Sequence, residues 1–304
     1  MYKRIAHGSI VLGVILAFVV VASVRSDEVG ADKVLRVCQD PNNPPFSSQR
    51  EDGFENKIAE LLARDLGWKL EYTWFPQRLG FIRNTLRAFE REAGRYKCDV
   101  VIGLPAGYEL ASTTKPYYTS TYALVYVRGR KIDRLAKPED VLQLDPPTLH
   151  SLKFGIVAQT PAADWLLKYK LFDQAVSYQR QTGDPEQYPG QIVEKDLVAG
   201  KIDAALIWGP IAGYFAKKVT TAELVVVPFS KQPDIKFDYS IAMGVRFGER
   251  AWKEQVQQLI DRNLPQIRKI LVDYGVPLLD EQGQLIRSKS DNERRQASAR
   301  ARAR

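Results

Sequence analysis

Apolar positions in the first third of the chain alternate between short continuous runs and repeats at helical spacing. A short run bounded by turn residues predicts a strand, and apolar residues three and four apart predict an amphipathic helix. The pattern therefore predicts, in chain order, strand 34–38, helix 53–66, strand 70–75, helix 78–93 and strand 99–103. Strands that alternate with helices imply a parallel sheet, and ligands of such sheets bind beyond the carboxyl ends of the strands.

The same alternation begins again in the second half of the chain. It predicts strand 154–158, helix 161–170, strand 176–179, helix 191–199 and strand 203–207, followed by a turn at 208–210. Extended runs at 122–127 and 224–229 connect the two units and are predicted to be hinge strands. Two α/β lobes joined by two hinge strands enclose a cleft, and its walls can close over a ligand. Helices interrupted near Pro265 are predicted over 252–274.

The predicted fold class is thus α/β, with lobe one at 32–127 and 230–286 and lobe two at 128–229. After these lobes only polar and basic residues with Ala remain, so 287–304 is predicted to be a disordered basic tail. Such a tail is either a solvated terminus or an electrostatic handle for an acidic partner or a membrane surface.

The N-terminal segment 1–31 has the features of a secretory signal. Lys3 and Arg4 precede an apolar stretch at 10–22, and cleavage is expected after residue 26 or 31. The apolar stretch is shorter than the ~20 residues that a spanning helix needs. An uncleaved membrane anchor is the alternative, and in either case the folded body is expected to be exported into an oxidising compartment.

Composition and charge narrow the classes of function. The chain has 304 residues, of which 45% are hydrophobic and 26% charged, and these values are typical of a folded protein. The net charge of +8 is concentrated at the ends, since segments 1–31 and 287–304 carry +1 and +5 and leave +2 for residues 32–286. Because the folded body has no strong basic bias, nucleic acid is not an expected partner.

Cys38 and Cys98 are the only two cysteines of the chain. In an oxidising compartment they form either a disulfide or two buried reduced thiols, and sequence alone leaves both open. Two distant thiols with only His7 and His150 cannot assemble a Cys/His zinc site, so no metal site is predicted. No catalytic triad and no glycine-rich phosphate loop is present, and we expect no cofactor.

Longer motifs carry a resemblance to a known family. The order of short motifs from about residue 33 to 279 resembles the periplasmic solute-binding proteins of family 3, which have the type II periplasmic-binding-protein fold. Within that group the chain resembles the MxaJ/XoxJ family through five longer runs: DPNNPPFS at 40–47, GFENKIAE at 53–60, YTWFPQR at 72–78, GFIRNTL at 80–86 and WGPIAGYFA at 208–216. The stretch 87–97 and the basic tail depart from the family pattern.

Members of the MxaJ/XoxJ family are periplasmic proteins associated with quinoprotein methanol dehydrogenases. The resemblance implies a non-catalytic periplasmic protein that supports the maturation or activation of a dehydrogenase dependent on pyrroloquinoline quinone. The partner is expected to be that dehydrogenase. Two alternatives have other mechanisms: a receptor that delivers a small ligand to a membrane permease, and an enzyme of the dehydratase type on the same scaffold, with Glu55 or Glu109 as the available acid.

The cleft is predicted to lack the charges that hold a free amino acid. Relatives that bind amino acids place an Arg and an Asp where this chain is expected to have Gly107 and Trp208. Without these buried ionic partners a zwitterion would lose several kcal/mol of binding. Aromatic residues are instead the candidates for the cleft lining, although about half of them are expected to pack inside the lobes; they are Phe46, Trp74, Tyr108, Tyr117, Tyr118 and Trp208.

Four polar residues complete the candidate site. Asn43 lies in the Pro-Asn loop after the first strand, where it either contacts a ligand or makes a turn. Gln77 and Arg78 follow the second strand, and Arg78 is either a carboxylate ligand or a solvated helix-start residue. Thr160 precedes Pro161, and we expect it to cap a helix rather than to bind an anion.

Overall fold

The computed structural model describes residues 29–179 and 184–286. The predicted signal segment up to residue 28 and the predicted tail at 287–304 lie outside the described residues. Among the helices that are described, none combines the length and apolar character required to cross a bilayer.

Strands and helices alternate along the chain as follows: β1 Val34–Gln39, β2 Asn42–Asn43, β3 Ser47–Ser48, α1 Phe54–Leu66, β4 Lys69–Trp74, α2 Phe81–Asn84, β5 Phe89–Glu90, β6 Arg95–Tyr96, β7 Val100–Pro105, β8 Ser112–Thr113, β9 Tyr118–Val127, α3 Pro146–Ser151, β10 Phe154–Val157, α4 Pro161–Lys168, β11 Ala175–Tyr178, β12 Ala204–Trp208, α5 Gly209–Lys218, β13 Leu224–Pro228, β14 Asp238–Val245, α6 Arg250–Asp273 and β15 Leu278–Leu279. Short 3₁₀ helices lie at Pro138–Gln143 and Phe172–Gln174, and a π-helix lies at Ile192–Leu197.

A parallel sheet forms the first half of the structure. β1 is hydrogen-bonded between β4 and β7, both parallel to it, and β14 continues the sheet antiparallel to β7. Helices α1 and α6 bury an apolar face against this sheet, with Ile58 and Leu62 from α1 and Leu259 and Ile267 from α6. Gly67 ends α1 with a left-handed conformation, as a glycine after a helix commonly does.

Strand β9 connects the two halves. Its first residues pair with β14 and β15, and its last six residues pair with β12 and β13. β10 lies parallel to β12 and β11, which gives the second half its own α/β sheet. Leu124 and Val125 of β9 pack in the cores of this second half, so we propose that residues 123–127 belong to lobe two rather than to lobe one.

The predicted helix over 78–93 is wrong. Only one turn, α2, forms there, and the chain continues into a β5–β6 hairpin. Gly80 enters α2 with a φ of 87°, and the rings of Phe89 and Tyr96 face each other across the hairpin at 5.1 Å. The Arg246 guanidinium lies 4.2 Å from the Tyr96 ring centroid, so a contact distant in sequence holds the hairpin in place.

Two other sequence expectations require correction, and one strand was missed. α6 runs through Pro265 without interruption, because buried side chains on both sides of the proline anchor it to the sheet. The turn predicted at 208–210 is the start of α5, in which Pro210 lies in the first turn, where its missing N–H costs no helical hydrogen bond. Strand β14 was not predicted, although its buried second half contributes Met243 and Val245 to the core.

Cys38 and Cys98 are joined by a disulfide, with their Cα atoms 5.4 Å apart. Cys38 lies in β1, and Cys98 precedes β7, the parallel neighbour of β1. The bridge is buried among Phe81, Leu86 and Leu104. It ties the chain across a separation of 60 residues, so it restricts the unfolded chain strongly.

We expect the double variant Cys38→Ala/Cys98→Ala to lose about 2–5 kcal/mol of unfolding free energy, because the unfolded chain regains the conformational freedom that the bridge removes. Denaturation by urea, followed by tryptophan fluorescence, measures this loss. Addition of a reductant should destabilise the parent protein and leave the double variant unchanged. Equal stability of the two proteins would contradict the prediction.

Candidate functional site

The carboxyl ends of both parallel sheets face the hinge. In the second sheet Trp208, the last residue of β12, pairs with Tyr122 in the middle of β9. In the first sheet Pro105, the last residue of β7, pairs with Ile241 of β14, close to the pairing of β14 with β9. Loops from both halves therefore meet at this point, where open α/β sheets bind ligands.

Two of the predicted aromatic side chains contact both halves of the structure. Trp208 packs its ring against Tyr122 and Tyr239, with centroid distances of 5.4 and 5.8 Å. Phe46 lies 5.2 Å from Phe54, and both Phe46 and Trp208 contact the apolar cores of the two halves. Both of these predicted site residues are half-buried.

Helix α5 of the second half packs directly on the end of α6. An added Cβ on Gly213 would lie 1.8 Å from the carbonyl oxygen of Gly275, so only glycine permits this approach. The rings of Tyr214 and Tyr274 stack beside it at 5.8 Å. Lys217 Nζ donates to the carbonyl oxygens of Val272 and Asp273 at 2.8 and 3.2 Å, which satisfies acceptors left free at the end of α6.

Tyr117 and Tyr118 were predicted to line the cleft, but the structure buries both residues. They are only 4% and 7% exposed and belong to the core between the first sheet and its helices. The Tyr117 hydroxyl donates to the Ile102 carbonyl at 3.2 Å. Trp74 remains half-buried at the end of β4, where its ring packs 4.7 Å from that of Tyr72.

The predicted polar residues are spread over the cleft entrance. Asn43 Nδ2 donates to Gln77 Oε1 at 3.1 Å, which joins the loops that follow β1 and β4. Arg78 is half-buried next to Gln77. Burial raises the pKa of Asp40, and the backbone N–H groups of Gln77 and Asn42 and the charge of Arg78 offset this rise only in part. Thr160 is the N-cap residue of α4, as expected, but its hydroxyl donates to the Val157 carbonyl at 2.7 Å and makes no capping hydrogen bond to the helix.

An apolar hollow of about 440 Å³ lies beside the loop after β7 and is lined by residues 105–110. Leu110 is 48% exposed there, and half-buried Tyr108 packs on the apolar cluster that surrounds the disulfide. Gly107, in the same loop, occupies the position where an Arg was expected in amino-acid receptors. Of the aromatic residues predicted to line the cleft, Tyr108 is the one that lines this hollow.

A second, polar cavity of about 500 Å³ lies between the halves. Asn42, Pro44 and Arg50 line it from the first half, and residues between 184 and 218 line it from the second half. Asn42 Nδ2 donates to the Pro185 carbonyl at 2.7 Å and so bridges the two walls. Nothing in the hydrophobic pattern of the sequence indicated this cavity.

The burial of Glu55 is the main feature of this region that the sequence did not indicate. Its side chain lies at the first turn of α1, is 7% exposed, and fills the space where a Cβ on Gly103 would stand. Burial, together with the charge of Asp40, raises the pKa of Glu55 to about 8. The acid is therefore largely protonated near neutral pH. Among the described residues no group of three His, Cys, Asp or Glu side chains is arranged to hold a metal ion.

Comparison with known proteins agrees with this architecture. No protein-family model matches the chain. The crystal structure of the periplasmic binding protein XoxJ from Methylobacterium extorquens AM1 is 35% identical and superposes with a TM-score of 0.64, covering 81% of this chain and 100% of that chain. MxaJ from Methlophaga aminisulfidivorans MPT is 24% identical over 81% of this chain and 100% of its own, with a TM-score of 0.65. Protein MoxJ of Methylorubrum extorquens is 28% identical over 260 residues, which are 81% of each chain.

The two lobes, the shared β9 strand and the cleft at the strand ends define a periplasmic binding protein of the type II fold. The chain belongs to the MxaJ/XoxJ family. The predicted fold class, family and periplasmic location are thereby confirmed.

We expect Glu55→Gln to remove a pH-dependent loss of stability. The folded-state pKa of Glu55 is raised, so ionisation opposes folding from the unfolded pKa of 4.5 upward, and the penalty is complete above about 8. The variant should match the parent near pH 4 and exceed it in melting temperature near pH 9 by the equivalent of several kcal/mol. A difference in melting temperature between the two proteins that stays the same from pH 4 to pH 9 would contradict this expectation.

We also expect Gly213→Val to destabilise the protein by more than about 2 kcal/mol, because the new side chain clashes with the Gly275 carbonyl. Ala216→Val on the same helix is the matched control for the helical cost of a β-branched residue, which is below about 1 kcal/mol. Thermal unfolding measures both. Small-angle X-ray scattering should show a larger radius of gyration for Gly213→Val only, whereas equal values for both variants would contradict a clash between the lobes.

Proposed function

We propose that the protein is a non-catalytic accessory protein of methanol oxidation, which binds a quinoprotein methanol or alcohol dehydrogenase in the periplasm and supports its maturation or activation. Membership of the MxaJ/XoxJ family supports the association with such a dehydrogenase. The proposal is carried by the uncharged residues Gly107 and Trp208, which we expect at the positions where amino-acid receptors have charged ligand contacts.

The lobe interface also favours a protein partner over a small solute. Trp208 and Phe46 occupy the hinge side of the cleft, and α5 packs on the end of α6. A receptor of the transport type needs an enclosed pocket that covers most of its ligand. Here the apolar surface that remains open is the hollow beside Tyr108 and Leu110, and exposed aromatic and apolar side chains of this kind anchor protein interfaces.

We expect Tyr108→Ala and Leu110→Ser to weaken binding of the cognate dehydrogenase, prepared without its cofactor, by about tenfold or more each, because a buried anchor is worth over 1 kcal/mol. Leu167→Ala, at an exposed apolar position on α4 of the other lobe, is the matched control and should bind like the parent. Isothermal titration calorimetry measures the three affinities.

A deletion strain provides the second arm of this test. Dehydrogenase activity should fall in the strain, and it should return with the parent gene but not with the Tyr108→Ala variant. The proposal fails if the purified protein does not bind the dehydrogenase and the deletion strain keeps full dehydrogenase activity.

A small-ligand receptor is the second candidate, and the polar cavity of about 500 Å³ between the lobes is the observation that favours it. A solute bound there would raise the melting temperature by mass action. A thermal-shift screen with periplasmic extracts, fractionated by size, tests this candidate. Stabilisation by a fraction that contains only small molecules would favour it over the accessory role.

A further inference from the structure

The two faces of the first sheet are covered by different parts of the chain. Val37 of β1 belongs to the core under α1 and α6, whereas its neighbour Cys38 belongs to the cluster around the disulfide. Successive side chains of a strand point to opposite faces of a sheet, so this cluster lies on the face away from α1 and α6. Phe81 and Leu86 pack in it from the segment after β4, and Tyr108 packs on it from the loop after β7. The two segments therefore cover the same apolar cluster.

The segment at 78–97 concentrates the positive charge of the folded body. It holds six Lys or Arg and two Glu, so its net charge is +4, whereas the rest of residues 32–286 carries −2. Arg83, Arg87 and Arg91 are exposed, and within the part of the chain that the structure describes their side chains form no ion pair. Cations that no local acid neutralises create a positive potential that attracts acidic groups of a partner.

Apolar side chains are exposed among these cations and beside them. Leu79 and Phe89 are 92% and 47% exposed, and Leu110, which lines the hollow, is 48% exposed. The hollow itself has a volume of about 440 Å³. Apolar contacts within a charged rim, with arginine enriched, are typical of protein–protein interfaces.

Arg246 holds this segment in place from within the fold. Its Nη1 atom donates to the carbonyl oxygen of Leu86 at 3.1 Å and to that of Cys98, which are the residues at the two ends of the hairpin region. Its guanidinium lies 4.2 Å from the Tyr96 ring centroid and binds Asp99 at 3.2 Å. A surface that is ordered before a partner arrives loses less conformational entropy on binding.

We propose that residues 78–97 and the hollow at 105–110 form one docking surface, the basic face, for an acidic patch of the dehydrogenase. This inference rests on the proposed function and names the surface through which the partner is bound. Five of the six cations in the segment are Arg, whose planar guanidinium binds carboxylates through two parallel hydrogen bonds. The hollow accepts an apolar side chain of the same partner as an anchor.

An anionic membrane is the competing occupant of a basic face. Glu90 and Glu92 lie among the arginines, and a uniformly anionic bilayer would face these two acids as well. A protein surface can place its acids opposite the arginines only, and it can offer a projecting side chain to the hollow. These two features favour a protein partner.

Surface plasmon resonance with the immobilised dehydrogenase, prepared without its cofactor, tests the proposal. We expect the triple variant Arg83→Glu/Arg87→Glu/Arg91→Glu to associate about tenfold or more slowly than the parent at about 0.01 M ionic strength, with a smaller change in dissociation rate, because exposed charges mainly steer the encounter. The difference should shrink at about 0.15 M, since the Debye length falls from about 30 Å to about 8 Å.

Two further variants separate a local charge effect from other causes. Arg64→Glu/Arg250→Glu/Arg268→Glu makes the same change in net charge at exposed positions of α1 and α6, on the other face of the sheet, and should associate at close to the parent rate. The neutral variant Arg83→Gln/Arg87→Gln/Arg91→Gln should associate at an intermediate rate, and its melting temperature should match that of the parent. The proposal is overturned if the two Glu variants slow association equally.

The outcomes distinguish this inference from the proposed function. If the parent protein binds the dehydrogenase and the Arg83→Glu/Arg87→Glu/Arg91→Glu variant associates as the parent does, the accessory role stands and the basic face is refuted. If the parent does not bind the dehydrogenase, both fail. Vesicles of phosphatidylglycerol and phosphatidylcholine provide the membrane arm. Vesicle binding that this variant loses, together with unchanged association with the dehydrogenase, would assign the basic face to a membrane and overturn the proposal.

Discussion

The close contact between the backbones of Gly213 and Gly275 fixes how the two lobes face each other. It brings α5 of the second lobe onto the end of α6, where Tyr214 stacks on Tyr274. There Lys217 donates hydrogen bonds to the last carbonyl oxygens of α6. The start of α5 thereby holds Trp208 against the hinge strands. The open surface includes an apolar hollow on lobe one and a polar cavity between the lobes.

Among the described residues, the buried charged side chains of Arg36, Asp99 and Arg246 form ion pairs, whereas that of Glu55 does not. Arg246 binds Asp99 at 3.2 Å and Glu249 at 2.6 Å, donates to the carbonyl oxygens of Leu86 and Cys98, and so ties the hairpin region to α6. Glu55 has no such partner. Stability alone would favour an uncharged residue there, since an unpaired buried acid opposes folding once it ionises. Arg246 therefore supports the fold through its ion pairs, whereas the ionised form of Glu55 opposes it.

Local sequence pattern predicted those elements whose apolar faces follow a regular period. The α1 helix, the strands β1, β4 and β7 and the second α/β unit fall within a few residues of their predicted positions. The segment 78–93 has helical spacing as well, but Gly80 and the distant contact of Arg246 with Tyr96 favour a single turn followed by a hairpin. Among the candidate site residues, Phe46, Trp208 and Tyr108 are only partly buried, whereas Tyr117 and Tyr118 are core residues.

The sequence by itself determined the alternation of strands and helices, the family to which the chain belongs, and the absence of charge at positions 107 and 208. These properties depend on residue identity and on short-range periodicity, both of which can be read along the chain. Only the tertiary structure decided which aromatic rings are exposed, that Cys38 meets Cys98, and that Glu55 is buried beside Asp40. Each of these depends on contacts between residues far apart in sequence, and burial and pKa arise only when such residues come together.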